Sequence, residues 1–186
     1  MRVGVISDTH LPSLIHSLDE LGSECADFLA SVDLILHSGD ISTKKLLDWC
    51  DQFAPVIVAR GNHDVFDDPR MEDSQVLELE GWRIGMVHDL RPRTATPTEL
   101  SAKHFGGAEL DLMIAGDTHV DRLEREDGVV QLNSGSPNLP HHKETRWGTA
   151  ALLELEPDVM RAEIVLLGHS EGAANPGVAR SLEVTR

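Results

Sequence analysis

The sequence has no tyrosine, only two cysteines, and three tryptophans and four phenylalanines in 186 residues. Without tyrosine, any metal site built on a tyrosinate ligand is excluded. Cys25 and Cys50 lack the spacing of a CxxC redox or zinc motif. Both fall in segments of helical pattern, beside Ala26 and Trp49, which points to buried free thiols rather than a disulfide. No apolar run nears the roughly 20 residues of a membrane-spanning helix. Met1 leads almost at once into the apolar residues 3–6, which leaves no room for a signal peptide. A cytoplasmic protein with no membrane partner is expected. Basic residues are also scarce, with 16 Lys and Arg against 32 Asp and Glu and a formal net charge of −16. That balance speaks against stable nucleic-acid binding, which runs on neutralising phosphates with Lys and Arg. The Walker A loop and HExxH are missing too, which removes the common P-loop nucleotide-binding and zinc-protease readings.

What is present reads as one soluble α/β domain. The chain is 40% hydrophobic and 26% charged, as globular domains are, and too short for two ordinary ones. A β-branched run at 3–6 predicts a first strand. Leu18, Leu21, Cys25, Phe28 and Leu29 recur at helical spacing and predict a helix over 16–30. A strand at 33–37, a helix at 43–52 capped by Ser42 or Thr43, and a strand at 56–59 follow. This alternation predicts parallel strands joined by crossover helices. Beyond it the pattern changes to hairpins: 75–80 with 82–87 across Gly81, 122–125 with 129–132 across Asp127-Gly128, and 150–155 with 160–165 across Pro157-Asp158. A helix at 98–105 and a strand at 112–115 lie between them. The domain is placed at 1–167, and the small, polar tail 168–186 is assigned no structure.

Chemistry-bearing residues stand directly after predicted strands, where α/β proteins place their ligand sites. Asp8-Thr9-His10 follows the first strand and Gly39-Asp40 the second. Gly61-Asn62-His63-Asp64 follows the third, His88 follows 82–87, and Gly116-Asp117-Thr118-His119 follows 112–115. Singly, each has an ordinary explanation as a cap, an Asx turn or a structural histidine. Together they bring oxygen and imidazole donors to one sheet edge, where they would repel and desolvate one another unless cations or hydrogen bonds compensate.

In this order, DxH, GD, GNHD, a later His and GxTH resemble the calcineurin-like metallophosphoesterases, most closely their small, uncapped bacterial and archaeal phosphodiesterases. The resemblance runs to the last hairpin. It implies a four-layer αββα sandwich with two mixed β-sheets and a metal- and substrate-binding site on the loops at one edge. By the same resemblance Asp8, His10 and His119 hold one divalent metal, Asp40 bridges, and Asn62, His88 and Asp117 hold the second. The family usually has His where this chain has Asp117, and often Gly where it has Asp89. An Asp can still ligate a divalent cation, so Asp117 is kept among the ligands. Mn²⁺ is the first expectation, with Ni²⁺, Zn²⁺, Fe²⁺ or Mg²⁺ also able to serve. The implied activity is hydrolysis of small phosphodiesters, with monoesters also in reach, by in-line attack of a metal-bridging hydroxide. His63 would protonate or stabilise the leaving oxygen, and Asp64 would orient His63.

Several residues are less decisive. His37 reads equally as a support for Asp40 or as a core histidine. The loop Asn133-Ser134-Gly135-Ser136-Pro137 resembles the family's phosphate-side loop, and a plain turn explains it as well. Arg91, Arg93, His141, His142, Lys143 and Arg146 read as surface, with the entrance of the site as the alternative. His16, His104 and His169 are assigned no role. The rival from another class is a non-catalytic scaffold binding a protein partner. The retromer scaffold subunit of the same superfamily lacks the His of GNHD, and His63 is present here. A homo-oligomer stays open.

Overall fold

Short, continuous apolar runs build the first sheet around three parallel strands, β1 (Arg2–Ile6), β2 (Leu34–His37) and β3 (Val56–Ala59). The computed structural model describes residues 1–12, 16–140, 148–170, 173–175 and 177–186. The crossovers carry α1 (Ser23–Leu29) and α2 (Lys44–Cys50), and Thr43 caps α2 by accepting the Lys45 backbone N–H. After the short β4 (Met71–Glu72), the second sheet is laid down by β5 (Ser74–Leu79), β6 (Trp82–Val87), α3 (Pro97–His104), β7 (Leu112–Ala115), β8 (Asp121–Glu126) and β9 (Val129–Ser134). The chain then returns to the first sheet as β10 (Thr149–Glu156) and β11 (Val159–Leu166). A two-residue ladder of β12 (His169–Ser170) and β13 (Ala173–Ala174) precedes β14 (Arg180–Thr185). The strand orders are β14-β11-β10-β1-β2-β3-β4 and β5-β6-β7-β9-β8, each mixing parallel and antiparallel pairs.

The period-two burial of the strands sets the layers. Val3, Val5, Leu34 and Leu36 face Trp82, Ile84, Leu112, Ile114 and Leu132 in a core between the sheets. Ile6, Ile35, Val56 and Val58 point the other way, onto Cys25 and Leu29 of α1 and Leu46, Leu47 and Cys50 of α2. Leu100 of α3 packs with Phe105, Leu110 and Met113 on the far face of the second sheet. This is the αββα sandwich expected from the resemblance. Both cysteines are buried free thiols, and burial pushes Cys25 up to about 12. Among the described residues, no helix is long and apolar enough to cross a membrane.

Two expectations are corrected. The helix expected over 16–30 is broken at Gly22, whose φ of 82° and ψ of 158° are not helical; a 3₁₀ turn, Leu18–Leu21, precedes it and α1 follows. The tail assigned no structure supplies β14, which pairs with β11 from Val159↔Thr185 to Ile164↔Arg180. Leu182 and Val184, two apart on that strand, join the core between the sheets, an alternation that the surrounding polar residues mask. Arg186 then lies 4.0 Å over the Trp82 ring and bonds Asp111 at 2.7 Å, tying the first sheet's edge to the second sheet.

Candidate metal centre

The carboxyl ends of β1, β2, β3, β6 and β7 meet at one edge of the sandwich, and the predicted residues converge there. Ligand atoms of Asp8, His10 and His119 lie within 4.8 Å of one another, as do those of Asp8, Asp40 and His88, and of His10, Asp40 and His63. His10 Nε2 is 3.1 Å from His119 Nε2. Asp40 Oδ2 is 3.3 Å from both His10 Nε2 and His88 Nε2, in the middle of the group. Asn62 Oδ1 is 3.1 Å from His88 Nε2 and closes the set.

The backbone bends sharply to aim these side chains. Asp8, His10, Asp40, Asp117 and His119 all have left-handed φ, at 55°, 43°, 58°, 65° and 55°. Asp and His are among the few non-glycine types that adopt this region with any frequency. Two glycines are required by close approach. A Cβ on Gly61 would sit 2.2 Å from Asp40 Oδ1, and one on Gly116 would sit 2.1 Å from Ser7 Oγ and 2.9 Å from Asp8 Oδ2.

Hydrogen bonds settle which imidazole nitrogen is available. His88 Nδ1 donates to the Ser38 carbonyl and His119 Nδ1 to the Leu139 carbonyl, each at 2.7 Å. Carbonyls only accept, so Nδ1 carries a proton in both rings and Nε2 faces the cluster as the nitrogen that would offer its lone pair to a cation. Burial opposes ionisation of Asp40, yet bonds from His88 and His63 hold its carboxyl well below the usual carboxylate range. His88 is likewise opposed by burial, but the Asp40 and Asp8 carboxylates raise it to about 9. Burial lowers His10 below the usual histidine value.

Asp8 tests whether cations suit the site. It is fully buried, and among the described residues neither carboxylate oxygen accepts a hydrogen bond of normal geometry. Burial pushes it up to about 7 against the opposing pull of His88. A buried carboxylate without donors is costly by several kcal/mol. A divalent cation shared with imidazole Nε2 atoms removes that cost, and mixed oxygen and nitrogen donors suit Mn²⁺, Fe²⁺, Ni²⁺ or Zn²⁺.

Two assigned roles do not match the geometry. Asp64 was expected to hold His63. Its carboxylate instead accepts the backbone N–H groups of Asp40, Ile41, Ser42 and Gly61, at 2.7–3.0 Å. His63 is held by Asp40, whose Oδ2 accepts from His63 Nδ1 at 2.8 Å and whose Oδ1 accepts from the His63 backbone at 2.9 Å. The His63 ring is 59% exposed, leaving Nε2 free to meet a substrate. Asp117 was expected among the ligands. It belongs to none of the converging groups and pairs with Arg91 at 2.8 Å.

Other residues act as supports. His37 is fully buried, accepts the Gly39 N–H on Nδ1 and meets Thr9 Oγ1 with Nε2, each at 3.1 Å. Burial lowers it to about 3, so it is a neutral strut. The end of β9 and the loop after it brace the ligand loops. Ser136 Oγ donates to the Asp8 carbonyl, Asn138 Nδ2 to the Thr9 carbonyl and Asn133 Nδ2 to the Gly116 carbonyl, at 2.7–2.8 Å. Asn138 and the Leu139 carbonyl had no signal in the sequence, because their partners are more than a hundred residues away or lie in another loop. His141, His142, Lys143 and Arg146 lie outside the described residues.

Comparison with known proteins agrees with this geometry. A probable metallophosphoesterase of Methanothermobacter thermautotrophicus is 32% identical over 171 residues, covering 90% of this chain and 94% of that one. Another, from Methanocaldococcus jannaschii, is 36% identical over 143 residues, covering 75% and 70%. Among solved structures, Vacuolar Protein Sorting 29 of Cryptosporidium parvum superposes with a TM-score of 0.79 at 17% identity, covering 100% of this chain and 98% of that one. Wild-type Vps29 of Entamoeba histolytica, solved in complex with Zn²⁺, gives 0.75 at 21% identity, covering 100% and 99%. At such identities the two structures speak to fold alone. Residues 1–158 match the calcineurin-like phosphoesterase superfamily domain, and the chain belongs to that superfamily.

Proposed function

We propose that this protein is a cytoplasmic phosphoesterase that uses two divalent cations, Mn²⁺ foremost, to hydrolyse small phosphodiesters, with monoesters as secondary substrates. The observation that carries the reading is Asp8: a fully buried carboxylate that accepts no hydrogen bond of normal geometry among the described residues, facing the Nε2 atoms of His119 at 3.5 Å and His10 at 4.0 Å. Asp8, His10, His119 and Asp40 would hold one cation, and Asp40, Asn62 and His88 the other. When bound, such ions polarise phosphate oxygens and make water a nucleophile near neutral pH.

The chain's own residues supply the rest. Asp40 anchors His63 through Nδ1, so in the imidazolium form the second proton, on Nε2, would pass to the departing alkoxide and leave a neutral ring still bonded to Asp40. Asp64 holds the backbone of residues 40–42 and 61, and so fixes the distance between Asp40 and His63. The preference for diesters rests on the resemblance of the chain's motifs to those of the family's small, uncapped phosphodiesterases. The buried free thiols suit a reducing compartment.

The test uses chelator-stripped protein, an aryl phosphodiester, a cyclic nucleotide and an aryl monoester, with Mn²⁺, Ni²⁺, Zn²⁺ or Mg²⁺ restored. The stripped protein should be inert, and Mn²⁺ should restore diester turnover above monoester turnover. Undiminished turnover after stripping would end the metal reading. No turnover of any ester with any ion would leave the scaffold reading standing.

A further inference from the structure

Asp89 and Asp117 are the two positions where this chain departs from the family pattern around the metal centre, and one side chain joins them. Arg91 Nε forms an ion pair with Asp89 Oδ1 at 2.8 Å, and its Nη2 donates to Asp117 Oδ2 at 2.8 Å. The arginine's backbone is fixed as well. Lys103 Nζ and His104 Nε2, from the last turn of α3, both donate to the Arg91 carbonyl at 2.8 Å. A guanidinium presents its donors in a rigid planar fork, so two carboxylates on different edges define its position.

The consequence falls on Asp117. It lies two residues before His119, on the same left-handed turn, yet its carboxylate is drawn to the Arg91 side. In the same structure the oxygens and Nε2 atoms of Asp8, His10, Asp40, His88 and His119 gather within ligand range. On the side of Arg91 a cavity of about 690 Å³ opens, with Arg91, Arg93 and Asp117 in its wall, so nothing presses Asp117 back toward the cluster. Moving Asp117 onto a cation would take from the guanidinium one of its two carboxylate partners.

We propose that Asp117 is not a cation ligand but the fixed end of an Asp89–Arg91–Asp117 latch, so that the cation position served by Asp40, Asn62 and His88 is one protein ligand short and holds its ion loosely. Arg91 is then a positioning residue. The proposal rests on the two-cation reading above and concerns only the relative grip of the two positions.

The experiment is calorimetric titration of chelator-stripped, full-length protein with Mn²⁺ alone, without substrate. Wild type should show two binding events at least about tenfold apart in Kd. Asp117→Ala and the isosteric Asp117→Asn should leave both within about twofold. Asp117→His should tighten the weaker event by about 10–100-fold, the range by which groups around a metal tune its affinity. Arg91→Met, which frees Asp117, should tighten it as well. If Asp117→Ala and Asp117→Asn both weaken the second event tenfold, Asp117 is a ligand and the latch is wrong. Two indistinguishable events in wild type, or no second event even in Asp117→His, also overturn it. Loss of ester turnover with these affinities intact would instead count against the phosphoesterase reading.

Discussion

On one side of the metal centre Asp8 and His119 are almost wholly buried, and the end of β9 with the strap after it hydrogen-bonds the carbonyls of Asp8, Thr9 and Gly116 through Ser136, Asn138 and Asn133. On the other side Asn62 and His63 are exposed, and Asp117 is turned to Arg91. The covered side has its ligands fixed from behind by backbone contacts, with little freedom to adapt. The open side has one bracing carboxylate, Asp64, and leaves room for a substrate and for ion exchange. The difference places rigidity where a cation must be kept and exposure where chemistry must be reached.

The comparison breaks most completely at Asp8. Asp8→Asn should abolish turnover at any Mn²⁺ concentration, and a pH series on chelated protein should show why. The folded pKa of Asp8, about 7, exceeds its ordinary value of 3.8. Its stabilising contribution is therefore present below the ordinary value and lost as pH rises through 7. Relative to wild type, Asp8→Asn should gain about 2–4 kcal/mol between pH 4 and pH 8, read as a melting-temperature gap that changes with pH. A constant gap would show that Asp8 is not strained by burial.

His63 tests the open side next. His63→Ala should lower kcat by roughly 10²–10⁴ with both cations retained, the range for a general acid, and most for poor leaving groups. Metal loss in that variant, seen by elemental analysis, would make His63 a ligand. Ser136→Ala probes the strap behind the covered side: the tighter Mn²⁺ event should weaken by about 10–100-fold while the weaker one holds. Equal weakening of both would mean that the strap supports the whole edge. Asp64→Ala is read as stability. It leaves four backbone N–H groups without their acceptor. A loss on the order of 3 kcal/mol in denaturant is expected, with the tighter Mn²⁺ event unchanged.

Much of this was legible in the sequence, for local reasons. Residues 56–59 and 112–115 are short β-branched or apolar runs between turn signals, and the structure has strands there. Glu80-Gly81 and Asp127-Gly128 both have positive φ at each position, as two-residue hairpin turns need. Ligands that directly follow strands could be placed by order alone. What escaped depends on relations between distant segments. Ser136 and Asp8 are 128 residues apart, and Arg91 and Asp117 are 26 apart on separate loops. Asp64 stands next to His63 in the chain, and adjacency suggested a partnership that the turn redirects to four backbone amides. Gly22 broke a well-formed helical pattern through its own dihedral angles, and β14 hid two core residues in a polar stretch.

The left-handed turn at Asp117, with φ of 65°, has a consequence for how such a centre can change. Most side chains are disfavoured there by about 1–2 kcal/mol, whereas Asp, Asn and His are tolerated far better. The types that fit this backbone overlap with those that can ligate a metal or receive an arginine. An exchange between Asp and His at 117 can therefore convert a cation ligand into a counter-ion, or the reverse, with the loop left as it is. On the proposed two-cation reading, position 117 is thus an interchangeable socket: the affinity of one metal would drift through a single substitution while the fold and the other metal's ligands are unchanged.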